Sequence, residues 1–260
     1  MINLGFSMAQ LEAFLLIFIR MSGLFILSPI FGRRNLPAIF KIGFSFFLAI
    51  IFVNTTEIPV INMTENIALY VLYIVKELIV GLVIGYATYV IMSAIYLAGQ
   101  MIDMQVGFGS VNVLDATSNI QVPLTSNFYY MYIILIFLTL NGHFFIIRAL
   151  FKSFELVPID MLGFNINFVT EVIDIMQVMF EIAIRIAAPI IATIFVADVV
   201  LGILSRTIPQ MNVFQLGMPL KVIIGLAVIM VTFIYANGIT EVVADLMNEY
   251  MLRFLTTMGT

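Results

Sequence analysis

Apolar and polar residues do not alternate along this chain; the apolar ones gather into six runs at about residues 11–31, 38–53, 67–98, 127–147, 172–204 and 222–238. A helix that crosses a bilayer needs about 20 such residues, at about 1.5 Å of rise each over a core of about 30 Å. The first and fourth runs have that length. The second and sixth are short for it, and the third and fifth are long enough to protrude, bend or fold as hairpins. Pro189 stands inside the fifth run, where it removes a backbone donor and crowds the preceding turn, so the pattern predicts a kink or break there. Pro29 and Pro37, Pro59, Pro158, and Pro209 with Pro219 mark connections between the runs. No internal repeat or second soluble domain is evident, and residues 1–260 read as a single membrane-embedded domain. The opening "MINLGFSMAQLEAF" lacks a positive n-region, so the first run reads as a retained helix.

Two segments depart from this pattern. "GQMIDMQVGFGSVNVLDATSNIQVP", residues 99–123, is longer than an ordinary connection and too apolar for disorder, with only Asp103 and Asp115 as charges. Beyond the last run, "ITEVVADLMNEYMLRFL" sets Glu241, Asp245, Glu249 and Arg253 at i, i+4 spacing and leaves Val242, Val243, Leu246, Tyr250 and Phe254 on the remaining surface. This predicts an amphipathic helix at about 239–256. Its acidic face disfavours anionic lipid headgroups, so docking on protein is expected.

Composition turns the runs into a class. The chain is 63% hydrophobic and 10% charged, against about 45–50% and about 25% in soluble domains. It reads as an all-α integral membrane protein in contact with lipid. A net charge of −4 offers no basic stripe for phosphates, which sets nucleic acid aside. With no cysteine and one histidine, thiolate chemistry and a multi-histidine metal site are excluded. "GFGSVN" at Gly107 is not a dinucleotide fingerprint, and no phosphate loop, H-E-x-x-H or G-x-S-x-G occurs. The chain is therefore read as a non-enzyme without cofactor. His143, in Asn141-Gly142-His143, is expected to make a structural hydrogen bond at a helix end.

Charges within the runs are the default place to look for function, since each costs at least about 2.5–3.5 kcal/mol on insertion scales. They are Arg20, Lys76 with Glu77, Glu181 with Arg185, and Asp198. One reading is that they compensate each other or face partner subunits. The other is an ion or proton path, which Asp198, Glu181 and Arg185 would serve in an ion-coupled transporter, although Pro189 has no obvious mate in a second repeat. Glu181 and Arg185 have the favourable i, i+4 order. Orientation by the positive-inside bias puts Arg33, Arg34, Lys41, Arg206 and Lys221 on one side and leaves Arg148 and Lys152 on the wrong one, so simple alternation of loops fails. Gly81 and Gly85 form G-x-x-x-G, the spacing that lets helix backbones approach closely. Seventeen methionines and twenty-four phenylalanines add adaptable contact surface, as in a subunit of an assembly.

Three blocks carry a resemblance: "AGQMIDMQVGF" (98–108), "FLTLNGHFFIIRALFKSFELVP" (137–158) and "LGILSRTIPQMNVFQLGMPLK" (201–221). In this order and at these distances they resemble FliR, the flagellar type III export-gate family, whose virulence counterpart is SctT. The resemblance implies an inner-membrane assembly with FliP-like and FliQ-like subunits inside the flagellar basal body, which leads unfolded flagellar proteins outward alongside FlhB-like and FlhA-like components. A virulence-type export gate is the alternative it leaves open. It also implies long, partly broken helices arranged as hairpins. The segment matching 106–122 would plug the closed channel. Phe108, Val111, Val113 and Leu114 would exclude water, Val106, Gly107, Gly109 and Asp115 would belong to the same element, and Met101 and Met104 would add a deformable seal. Asp115-Ala116 stands where the family usually has Asp-Pro. Arg206, Pro209, Gln210 and Phe214 match an Arg-x-x-Pro-Gln motif expected to serve assembly or shape the entrance. Gly81, Gly85, Asn141, Gly142, His143, Glu181, Arg185 and Asp198 are expected in structural or assembly roles.

Overall fold

The fold is that of a computed structural model, which describes residues 8–33, 36–55, 67–108, 123–161, 168–208 and 213–259. These residues form eight α-helices and no strand: α1 (Met8–Leu27), α2 (Ala38–Thr55), α3 (Ile67–Val106), α4 (Leu124–Thr139), α5 (Gly142–Leu156), α6 (Phe168–Thr207), α7 (Val213–Phe233) and α8 (Ala236–Gly259). Five of them are long and apolar enough to cross a membrane, and the bent pair α4–α5 makes a sixth if it is one broken span.

The helices sharpen the run pattern in four places. Of the outcomes open to the third and fifth runs, length beyond the bilayer is the one seen: each is one helix of 40 residues; at about 1.5 Å per residue each is about 60 Å long, about twice a bilayer core. Of the kink or break expected at Pro189 there is no break, since α6 continues through it. Strong apolar sequence on both sides sustains the helix past one lost donor, and Thr193 Oγ1 donates to the Pro189 carbonyl at 2.8 Å. The fourth run is instead the broken one: Asn141 takes a left-handed backbone, φ 59° and ψ 27°, between α4 and α5, a conformation asparagine tolerates better than most residues. The sixth run starts earlier than expected, since α7 begins at Val213 and carries Pro219 inside it, and a turn at Ile234–Tyr235 separates it from α8.

The chain divides into two compact units, Met1–Val90 with Asn141–Ile175 and Ala244–Thr260, and Ile91–Leu140 with Met176–Val243. In the first, α1 and α2 meet through aromatic edges, Phe14 on Phe46 at 5.3 Å and Phe25 on Phe44 at 5.4 Å between ring centroids. Phe52 of α2 packs on Phe151 and Phe154 of α5. The amphipathic C-terminal helix lays Met247, Tyr250, Met251, Phe254, Leu255 and Met258 into this unit and leaves Asp245 and Glu249 exposed. Burial raises the pKa of the Tyr250 phenol above its ordinary value, with Arg253 opposing. In the second unit, Phe128, Tyr129 and Tyr132 of α4 gather around Phe233 of α7, and the hydroxyls of Tyr129 and Thr232 share a hydrogen bond.

Candidate functional site

Three of the charges singled out along the chain meet in one place. Arg20, midway along α1, and Glu77 of α3 have fully buried side chains, and Lys76 is nearly so. Arg20 grips the carboxylate of Glu77 bidentately: Nε donates to Oε2 at 2.5 Å and Nη2 to Oε1 at 2.9 Å. Lys76 Nζ reaches Glu77 Oε1 at 2.8 Å. The remaining donors go to α5 and its exit. Arg20 donates to Ser153 Oγ and the Val157 carbonyl, and Lys76 to the carbonyls of Pro158 and Ile159. The Phe154 ring lies 4.0 Å from the guanidinium carbon. One carboxylate thus neutralises one of two cations, and backbone oxygens freed where α5 ends take up the remaining donors. Such an arrangement fixes the positions of α1, α3 and α5 against each other, because a buried charge is tolerated only with its partners in place.

Beside this cluster α1 and α3 are in near backbone contact. A Cβ built on Gly81 would collide with the Arg20 carbonyl oxygen, and one on Gly85 would lie 2.9 Å from the Leu24 carbonyl. Gly23 of α1 is the matching vacancy, 2.9 Å from the Leu78 carbonyl and 3.2 Å from Gly81 Cα. The close approach that the G-x-x-x-G spacing suggests is therefore made to this chain's own first helix.

In the second unit the residues beside the long loop hold its two ends. Val106, the last residue of α3, is fully buried, and its methyl groups occupy the space a side chain at Gly225 of α7 would need. Gly107 follows with φ 97°, a left-handed value that favours glycine, and its N–H donates to the Asp103 carbonyl. Asp103 is buried, and its carboxylate accepts hydrogen bonds from Thr125 N–H at 3.0 and 3.2 Å, with Ser126 N–H 3.5 Å away. Met104 is 80% exposed, while Met101 and Phe108 are half-buried. Gly109, Val111, Val113, Leu114 and Asp115 lie outside the described residues. Sequence reading noted Asp103 only as a loop charge. The available signal was the start of α4: Pro123 stands at its N-cap and makes no side-chain cap, so these amides needed an acceptor from elsewhere.

The other expected residues are scattered. Asn141 and Gly142 make the break before α5. His143 follows in the first turn of α5; its Nδ1 is buried without a hydrogen-bond partner among the described residues, and its ring lies against Phe144. Glu181 and Arg185 form the expected i, i+4 pair on an exposed face. Asp198 pairs with Lys221 of α7, both partly exposed. Arg206 is exposed on the last turn of α6; Pro209 and Gln210, and the side chain of Phe214, lie outside the described residues. Among the described residues no three His, Asp or Glu side chains gather as a metal site. Because Asp198 and Lys221 compensate each other across α6 and α7, Asp198→Asn alone is expected to cost roughly 1 kcal/mol and the double change with Lys221→Met less. Thermal denaturation in detergent checks this, and a double variant weaker than the single one would contradict it.

Long apolar helices, a buried charge clamp and extensive exposed apolar faces define an all-α integral membrane protein built for contact with other surfaces. The model for bacterial export proteins, family 1, matches residues 11–249. The chain is 36% identical over 251 residues to the flagellar biosynthetic protein FliR of Bacillus subtilis, covering 95% of this chain and 96% of that one. It is 26% identical to FliR of Escherichia coli, over 80% of this chain and 79% of that one. To the secretion system apparatus protein SsaT of Salmonella typhimurium it is 29% identical over 62% of each. The chain belongs to the bacterial export protein family that contains FliR and its SctT-type counterparts, and is a component of the type III export apparatus in a bacterial membrane.

Proposed function

We propose that this chain is a core, non-enzymatic subunit of the flagellar export gate in the inner membrane, within the basal body. It assembles there with FliP-like and FliQ-like subunits, beside FlhB-like and FlhA-like components, into the channel through which unfolded flagellar proteins leave. The observation that carries the reading is the 36% identity to a flagellar biosynthetic protein along 95% of the chain. The structure supports an assembly role: α3 and α6 are about twice as long as a bilayer core requires, and α6 exposes Phe180, Ile184, Phe195, Val196, Val199, Val200 and Ile203. Residues 106–122 form the apolar plug in this reading, and Asp198 stays in a structural ion pair.

Gentle detergent extraction of the tagged chain tests the first part. Co-purification with FliP-like and FliQ-like proteins is expected, whereas a well-folded chain recovered alone would overturn the reading. Deleting residues 106–122 from the assembled complex is expected to raise ion leakage across the membrane. Unchanged conductance with the complex intact would sink the plug. A virulence-type gate, favoured by the similarity to SsaT, would show as secretion lost with motility retained.

A further inference from the structure

A 22-residue step separates Asp103 from Thr125 in sequence, yet the two are joined by hydrogen bonds. We propose that Asp103 is a positioning residue of the export gate: its carboxylate, fixed in α3, caps the N-terminus of α4 and so sets the separation of the two chain ends between which residues 107–122 run. The consequence for ion tightness rests on the plug reading above; the clasp itself does not.

Three contacts make this base rigid. The first is the carboxylate, which accepts the Thr125 N–H with both oxygens and has the Ser126 N–H within 3.5 Å. Those amides are orphan donors of a first helical turn, where the helix dipole also favours an anion. Pro123 supplies no cap of its own, so Asp103 fills a place that local sequence leaves open. The second is Gly99, one turn before Asp103 on the same face. Any Cβ there would collide with the backbone of Ser126, so α3 and the start of α4 touch main chain to main chain. The third is Val106 seated on Gly225, which ties the end of α3 to α7 as well. Asp103 also closes its own helix, since its carbonyl accepts the Gly107 N–H. One residue therefore ends α3 through its backbone and starts α4 through its side chain.

The buried carboxylate pairs with no cation among the described residues. Among those residues N–H donors alone hold the carboxylate, which makes the amides of Thr125 and Ser126 a direct readout. Hydrogen exchange followed by mass spectrometry on the full chain, purified with its co-purifying subunits, is the experiment. In D103L the peptide covering 123–128 is expected to exchange roughly tenfold faster or more, as loss of a bond to a charged acceptor implies, while residues 67–90 stay as protected as in the parent. D103N keeps one acceptor and the side-chain volume, so it is expected to restore most of the protection, with a residual acceleration of a few fold confined to 123–128. Should D103L fail to fold, that local acceleration in D103N carries the test. Unchanged exchange at 123–128 in D103N and any folded D103L, or equal acceleration throughout the chain, would overturn the clasp.

Membrane conductance of the same variants separates the clasp from the plug. Leakage on deleting 108–122, which spares Val106 and Gly107, with no change of exchange in D103N and any folded D103L removes the clasp and leaves the plug standing. Accelerated exchange in D103N with no leakage on deletion removes the plug and leaves Asp103 as the clasp at the base of the connection.

Discussion

Glu77→Ala is expected to destabilise the chain by about 3–5 kcal/mol, a large part of an ordinary folding margin. Among the described residues the carboxylate it removes is the only one ion-paired with Arg20 and Lys76, both buried among α1, α3 and α5. Without it two buried cations keep only carbonyl and hydroxyl hydrogen-bond acceptors among the described residues, and the helices must separate or admit water. Lys76→Met acts differently. It leaves the Arg20–Glu77 pair intact and withdraws Lys76 Nζ from Glu77 Oε1 and from the carbonyls of Pro158 and Ile159, at roughly 1–3 kcal/mol for groups left unsatisfied. Arg20→Met falls between, since Lys76 still faces Glu77 while Ser153 and the Val157 carbonyl lose their donor. The order Glu77→Ala, Arg20→Met, Lys76→Met is therefore expected in thermal denaturation of the detergent-extracted chain and in its accumulation in membranes. Equal losses for Glu77→Ala and Lys76→Met would contradict a clamp built around one carboxylate.

This cluster also shows how far the sequence was legible. Arg20, Lys76 and Glu77 stand out because charges are rare in the apolar runs, and mutual compensation was one of the two readings. Their partners did not stand out. The Ser153 hydroxyl and the carbonyls of Val157, Pro158 and Ile159 belong to ordinary residues, which matter because α5 ends there and its exit turns toward Arg20 and Lys76. Helix boundaries failed for a related reason. Proline is a strong local signal, yet α6 runs through Pro189 and α7 through Pro219, since long apolar flanks sustain a helix at the loss of one donor. The actual break, at Asn141, carries no proline, and its sign was only an asparagine beside a glycine. The amphipathic C-terminal helix was readable because its charges recur every four residues. Asp103 was visible as a charge but not as a cap, because its partner is a helix start on the far side of the long connection.

The glycines give the second large effect. Gly81→Ala adds a single methyl group, but it would stand against the Arg20 carbonyl oxygen, with Gly23 Cα also close by. No rotamer relieves such a clash, since the obstacle is main chain. The α1–α3 pair must open, and Arg20 then withdraws from Glu77. Overpacking costs typically 1–3 kcal/mol, and coupling to the buried ion pair is expected to place Gly81→Ala at or above the top of that range. Gly202→Ala is the matched control, because nothing lies within 4 Å of its Cβ position; there alanine is expected to be neutral or to stabilise α6 by up to about 1 kcal/mol. The two disruptions of the α1–α3 seat should not add. Once Glu77→Ala has released Arg20, the methyl group at residue 81 meets a helix already free to move, so the double variant is expected to lose about 1 kcal/mol or more less than the sum of the singles. Strict additivity in denaturation midpoints would mean that the glycine contact and the ion pair hold α1 independently.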